Sequence, residues 1–250
     1  MPSYFITGAG RGLGLAFTKE LLQDPKNHVI ASARNPSGSK GLQELITKYP
    51  KNQLSLVQLD VTDEKSIANA VKETEELAPN GIDNFISNAG IASDELIPFS
   101  DVDLKTFGED LNFQLVATIS LFRAFLPLIK KSEQKKVLVL TSVLGSIELG
   151  IGMPGLANTY SIMKAGLNML WRKWAAELKG DKVTVVLIHP GWVGETDMGG
   201  TIGPYMEKYA PDVLNVPEVE SATGCMKVLK EATFEQTGSF FVYDGSSLPW

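Results

Sequence analysis

Tyr4-Phe5-Ile6-Thr7-Gly8-Ala9-Gly10-Arg11-Gly12-Leu13-Gly14 is the stretch that decides the fold. Tyr4-Phe5-Ile6 reads as a short buried strand, which runs directly into a turn carrying four glycines and then into an apolar-periodic helix. Glycines in such a turn permit positive φ. They also let backbone N–H groups and a helix N-terminus approach a pyrophosphate with no Cβ in the way. A glycine cluster alone fits an ordinary tight turn; a strand before it and a helix after it make a nucleotide-binding arrangement.

Outward from this run, short apolar stretches predict strands at 4–7, 28–33, 54–59, 83–87, 137–141, 183–188 and 240–243. Helical patterns lie between them at 15–23, 41–48, 64–77, 103–130, 157–178 and 219–230. This alternation predicts an α/β protein, a doubly wound parallel sheet of the Rossmann type with helices on both faces. Ligands then bind beyond the carboxyl ends of the strands, where strand order reverses. One domain covers 1–250, and the Gly- and Pro-containing stretch 191–217 is long for a strand-to-helix connection, so it reads as a substrate lid.

Composition narrows the function classes. The chain has 250 residues, 44% of them hydrophobic, a size that supports one large core. Its contiguous apolar runs fall short of the roughly 18 residues that span a bilayer, so no membrane segment is expected. The first strand follows Met1-Pro2-Ser3 at once, leaving no room for a signal peptide, and a cytoplasmic location is expected. A net charge of −6 argues against nucleic acid. Cys225 is the only cysteine, and His28 and His189 are too few and too far apart for a metal site, so no catalytic metal is expected. Cys225 itself reads as a small buried hydrophobe on a late helix.

Chemistry enters at Tyr160-Ser161-Ile162-Met163-Lys164. At a spacing of four on a helix, the tyrosine and the lysine share one face. A fixed ammonium beside a phenol favours the phenolate, so such a tyrosine can act as acid and base near neutrality.

Taken together, these residues resemble the short-chain dehydrogenase/reductase family over essentially the whole chain. The matches are Thr-Gly-x-x-x-Gly-x-Gly at Thr7 to Gly14, Asn-Ala-Gly at Asn88 to Gly90, a serine at Ser142, Tyr-x-x-x-Lys at Tyr160 and Lys164, and Pro-Gly at Pro190 and Gly191. They fall in the family's order and nearly at its spacings. The resemblance implies that Tyr160 donates a proton to a carbonyl oxygen, that Ser142 hydrogen-bonds that oxygen, and that Lys164 lowers the tyrosine pKa and binds the nicotinamide ribose. It implies that Gly8, Arg11, Gly12, Leu13, Gly14, Asp60, Val61, Asn88, Gly90, Pro190, Gly191, Val193 and Thr196 hold the dinucleotide. Asp60 takes the family's adenine contact, though Asp60-Val61-Thr62-Asp63 also reads as a helix N-cap. The second predicted strand ends Ala31-Ser32-Ala33-Arg34 with no acid, so Arg34 and Arg11 favour the 2′-phosphate of NADPH, with NADH possible.

Three positions depart from the family pattern. Its helix asparagine falls on Gln114, with Asn112 as the alternative about 200° around the helix. That residue's family role is to expose a main-chain carbonyl, which a glutamine also supplies. One extra residue between Val193 and Thr196 weakens the expected carboxamide contact of Thr196, and Met163 stands where a serine is common. Ser142 precedes Tyr160 by 18 residues, wider than usual, so a loop around 148–157 is expected beside the substrate.

Within the family, His189-Pro190-Gly191-Trp192-Val193, Thr196-Asp197-Met198-Gly199-Gly200, Tyr243-Asp244-Gly245 and Leu248-Pro249-Trp250 look like the carbonyl reductases related to the C-factor and sniffer proteins. Ser142 and Tyr160 are expected to meet a small-molecule carbonyl substrate in a pocket made apolar by Trp192, Leu144, Ile147, Met153 and Tyr205. Two alternatives stand beside carbonyl reduction: an NAD(P)+-linked alcohol dehydrogenase, and a dinucleotide-binding signalling protein without turnover. Leu167, Met169, Leu170, Trp171 and Trp174 surround much of one helix, which is then either deeply buried or paired in a homodimer or homotetramer.

Overall fold

The computed structural model describes residues 1–91 and 96–250. Seven strands, β1 (Ser3–Ile6), β2 (His28–Ala33), β3 (Leu54–Gln58), β4 (Asn84–Ser87), β5 (Lys136–Leu140), β6 (Thr184–His189) and β7 (Ser239–Val242), form one sheet in the order β3-β2-β1-β4-β5-β6-β7. Every neighbouring pair is parallel. Each strand lies within one residue of its sequence expectation at both ends.

The helices are α1 (Gly12–Leu21), α2 (Lys40–Lys48), α3 (Glu64–Leu77), α4 (Leu104–Leu111), α5 (Thr118–Lys131), α6 (Ile147–Gly150), α7 (Asn158–Glu177), α8 (Asp197–Thr201), α9 (Gly203–Tyr209) and α10 (Glu218–Glu231). The period of two along each strand splits its side chains between two cores. Phe5, Phe85, Val137 and Val139 face Phe122, Phe125 and Trp171 on one side. Tyr4, Ile6, Val29 and Ile86 face Phe17, Leu21, Met226 and Leu229 on the other. Cys225 sits in this second core, where burial pushes its thiol up to about 12.

Three details differ from expectation. The single helix expected at 103–130 is α4 and α5 joined by a π-helical turn, Asn112–Ala117. Its full extent, Leu104–Lys131, is long and apolar enough by length and composition to cross a membrane, a feature that the count of contiguous apolar runs does not capture. Polar residues interrupt the contiguous apolar runs, yet the average over the helix stays apolar. In the fold, Leu121, Phe122, Phe125, Leu128 and Ile129 of this helix are buried. Finally, α6, α8 and α9 form in stretches that carry no long apolar period.

Candidate active site

The strand order reverses between β1, which pairs with β2, and β4, which lies on its other side. A cavity of about 970 Å³ opens beyond the carboxyl ends there. It is lined by residues that follow six strands: Gly8 to Gly14 after β1, Arg34 after β2, Asp60 and Val61 after β3, Asn88 and Gly90 after β4, Ser142 and Leu144 after β5, and Pro190 to Val193 after β6.

The glycine turn is built for close approach. Gly8 has φ +69°, and a Cβ on Gly14 would collide with the Gly8 carbonyl oxygen, so α1 can start tight against the turn only with glycine at this position. Arg11, the residue before α1, makes no side-chain cap, which leaves the first N–H groups of the helix open toward the cavity. Asn88 braces the turn from β4: its Nδ2 donates to the carbonyls of Thr7 (2.8 Å) and Gly8 (3.1 Å). Thr7 Oγ1 in turn accepts the N–H groups of Asn88 and Ala89 at 2.9 Å each.

At the end of the cavity beyond β2 and β3, Arg34 is exposed and no carboxylate ends β2. Asp60 is engaged locally: Oδ1 accepts the N–H (2.9 Å) and the hydroxyl (2.7 Å) of Thr62. These bonds, with a smaller contribution from the Arg34 charge, hold its carboxyl below the usual range. The N-cap of α3 is Asp63, not Asp60, because Asp63 accepts the N–H groups of Lys65 and Ser66. Arg11 forms a 2.6 Å ion pair with Asp197 of α8, so its guanidinium bridges the glycine turn to the stretch after β6.

Tyr160 and Lys164 project from α7 into the same cavity as Ser142. Lys164 Nζ lies 5.4 Å from the centre of the Tyr160 ring and donates to the Leu140 carbonyl at 3.2 Å. Burial lowers the lysine from 10.5 to about 8. Tyr160 itself packs with Leu156, Ala157 and Met163 in a small apolar cluster. Ser142 is buried and caps a short turn, its Oγ accepting the N–H of Leu144 at 3.2 Å.

Gln114 is buried within the π-helical turn, whereas Asn112 is exposed. Gln114 does not line the cavity directly; its Oε1 and Lys164 Nζ each lie 3.9 Å from where a Cβ on Gly90 would stand. That Oε1 makes no hydrogen bond among the described residues. Its main-chain carbonyl accepts the Thr118 hydroxyl at 2.8 Å. Gln114 Oε1 and Lys164 Nζ thus border the same space beside Gly90, with no hydrogen bond between them.

On the substrate side, Leu144, Met153, Trp192 and Tyr205 line the cavity as expected from sequence. Ile147 does not: it is 77% exposed at the start of α6, because the chain turns outward there, and the expectation for it is corrected. The Trp192 indole donates to the Gly199 carbonyl at 2.9 Å, and the Thr196 hydroxyl is taken up at the start of α8, donating to Val193 O (2.8 Å) and accepting Gly199 N–H (3.0 Å). Several cavity residues went unread in the sequence. Met198 comes from α8, Met206 from α9 and Ile202 from the junction between them, where no long period announces them. Ser39, whose hydroxyl donates to the Gly10 carbonyl at 2.6 Å, follows a plain Asn-Pro-Ser-Gly turn signal. His189 also lines the cavity, kept neutral by burial that lowers it to about 4.

Sheet, glycine turn and helix-borne tyrosine and lysine define the class: a doubly wound α/β protein whose ligand cavity holds a titratable pair. The family model described as short chain dehydrogenase matches residues 3–206. The chain therefore belongs to the short chain dehydrogenase family of oxidoreductases. It is 34% identical to a short-chain dehydrogenase/reductase of Arthrinium sp, with 98% of each chain covered. Among solved structures it resembles the NADPH-bound carbonyl reductase from chicken fatty liver (34% identity, 100% and 99% of the two chains, TM-score 0.87). It also resembles the carbonyl reductase Sniffer of D. melanogaster (27% identity, 100% of both chains, TM-score 0.88).

Proposed function

We propose that this protein is an NADPH-dependent carbonyl reductase that converts a ketone or aldehyde to an alcohol. The observation that carries the reading is the convergence of Tyr160, Lys164 and Ser142 on a cavity whose other wall is the glycine turn. The residues present suit a phosphorylated dinucleotide: a turn cleared of Cβ atoms, an uncapped helix start, an exposed arginine after β2 and no carboxylate there to repel a 2′-phosphate.

When bound, NADPH supplies the hydride. Tyr160 gives its phenolic proton to the carbonyl oxygen, and the Ser142 hydroxyl holds that oxygen in place. Lys164, even with its pKa at about 8, remains mostly cationic at neutral pH, so its charge stabilises the phenolate left behind. The Gln114 amide orients the lysine side of this group. Gly8, Gly12, Leu13, Gly14, Asn88, Gly90, Pro190, Gly191, Val193 and Thr196 would hold the dinucleotide, with Asp60 and Val61 at its adenine end and Arg34 toward the 2′-phosphate; Arg11 would join Arg34 by exchanging its exposed partner Asp197 for that phosphate. The stretch 191–217 acts as the substrate lid, with α8 and α9 as its wall.

The substrate end is lined by the apolar side chains of Leu144, Met153, Ile202, Met206 and Trp192. That lining suits an uncharged carbonyl compound with aliphatic or aromatic groups. Exposed Val116, Ile162 and Met169 lie on the π-helical turn and α7, and they support assembly of a homodimer or homotetramer through that face. The protein is placed in the cytoplasm on this reading. NADPH oxidation over a panel of neutral ketones and aldehydes tests it: turnover of several members is expected, and dinucleotide binding with no carbonyl reduced would overturn it.

A further inference from the structure

The sequence after β7 turns back on itself. Residues 246–248 run antiparallel to β7, with Val242 N–H donating to Ser246 O at 2.8 Å and Leu248 N–H to Phe240 O at 2.9 Å. This strap delivers Trp250 to the outer edge of the core, where its ring sits 5.3 Å from Phe240 and 4.4 Å from the guanidinium of Arg172 on α7. From that fixed position a main-chain oxygen of Trp250 accepts the N–H of Glu148, in the first turn of α6, at 2.9 Å.

The segment that receives this bond forms the substrate side of the cavity. Gly152, Met153, Leu156 and Ala157 all line it. Its α6 end has little to hold it: Ile147 and Ile151 are 77% and 93% exposed, whereas Leu156 and Ala157 at the other end are buried in the cluster around Tyr160. Among the described residues, two hydrogen bonds reach residues 147–157 from beyond their immediate chain neighbours. One is from Glu148 to Trp250; the other is the Tyr205 hydroxyl, donating to Pro154 O at 3.3 Å from the lid stretch. The segment then enters α7 through Ala157, a non-glycine residue at φ +47°, a conformation of order 1–2 kcal/mol above the ordinary one and held only while its surroundings fix it.

We propose that Trp250 is a positioning residue for the carbonyl substrate: anchored on Phe240 and Arg172, it fixes α6 and through it the wall formed by Gly152 and Met153. This rests on the carbonyl-reductase reading for the identity of the substrate, and on geometry alone for the anchoring. Trp250→Ala removes the ring that anchors the strap. Glu148→Pro removes the donor N–H but also the glutamate side chain and restrains Ile147 before it, so Glu148→Ala, which keeps the N–H, is its control.

Trp250→Ala or Glu148→Pro is expected to raise the carbonyl KM roughly tenfold while leaving kcat and the NADPH dissociation constant within about twofold. The double variant should be no worse than the singles, and Trp250→Phe, which keeps an aromatic ring on Phe240, should restore most of the loss. Hydrogen exchange on the protein without substrate gives an arm independent of turnover: amides of residues 147–157 should exchange faster in both single variants, with those of residues 8–14 unchanged. An unaltered KM with unaltered exchange overturns the proposal. So does a fall in kcat and dinucleotide affinity alongside KM, which would mark a general loss of structure. If Trp250→Ala does not fold, Glu148→Pro against its Glu148→Ala control decides alone. If the wild-type protein reduces no carbonyl, the exchange arm still decides the anchoring while the functional reading fails separately.

Discussion

Replacing Lys164 by methionine should make the protein lose a pH dependence of stability that the structure predicts quantitatively. Lys164 is 5% exposed, and burial lowers its pKa from 10.5 to about 8. The folded state binds this proton less tightly than the unfolded chain. The group therefore costs stability wherever both states are charged, below pH about 8, and the cost fades as pH rises toward 10.5. The difference between the two values, at about 1.36 kcal/mol per pH unit, corresponds to about 3 kcal/mol. Urea unfolding of Tyr160→Phe with and without Lys164→Met, at pH 7 and pH 10, isolates the term, because the phenol that couples to the lysine is absent from both. The lysine-bearing protein should gain about 2 to 3 kcal/mol on its methionine variant over that interval. Loss of the Nζ to Leu140 hydrogen bond shifts the variant's stability at both pH values and leaves the pH-dependent difference intact. Parallel pH profiles would refute the buried-ammonium reasoning.

Other predictions follow from the same geometry. Arg34→Asp should lower NADPH affinity at least tenfold and shift the cofactor ratio toward NADH; an unchanged ratio from initial rates with both cofactors would assign the phosphate to other cations. Gln114→Ala keeps the main chain and removes the amide that borders the space beside Gly90 with Lys164, so kcat should fall about tenfold; wild-type kcat would show that the main-chain carbonyl suffices. Gly14→Ala places a Cβ against the Gly8 carbonyl oxygen, and a loss of about 1–3 kcal/mol in denaturant unfolding together with weakened dinucleotide binding is expected; a protein of unchanged stability and affinity would mean the turn yields freely.

The strands were legible because each is a short run of apolar residues cut off by a turn, and a buried parallel strand needs nothing else. The glycine turn and the Tyr160–Lys164 spacing were legible for a related reason: both are local in sequence, and backbone geometry converts their spacing directly into position. What stayed hidden depends on contacts between distant residues. Arg11 has no sequence mark that ties it to Asp197, 186 residues away, nor does Glu148 point to Trp250. The residues of α8 and α9 were read as loop because elements of 5 and 7 residues are too short to show a period. Ile147 was placed in the pocket on its apolarity alone, which says nothing about the direction in which α6 leaves the sheet.

The most direct test of the central claim uses NADPH carrying deuterium at the transferable position, a neutral ketone, and mass spectrometry of the alcohol formed by the wild type and by Tyr160→Phe. The account predicts deuterium on the carbinol carbon for the wild type and essentially no alcohol from the variant, which still binds the dinucleotide. Labelled alcohol formed by Tyr160→Phe at a rate close to the wild type's would contradict it.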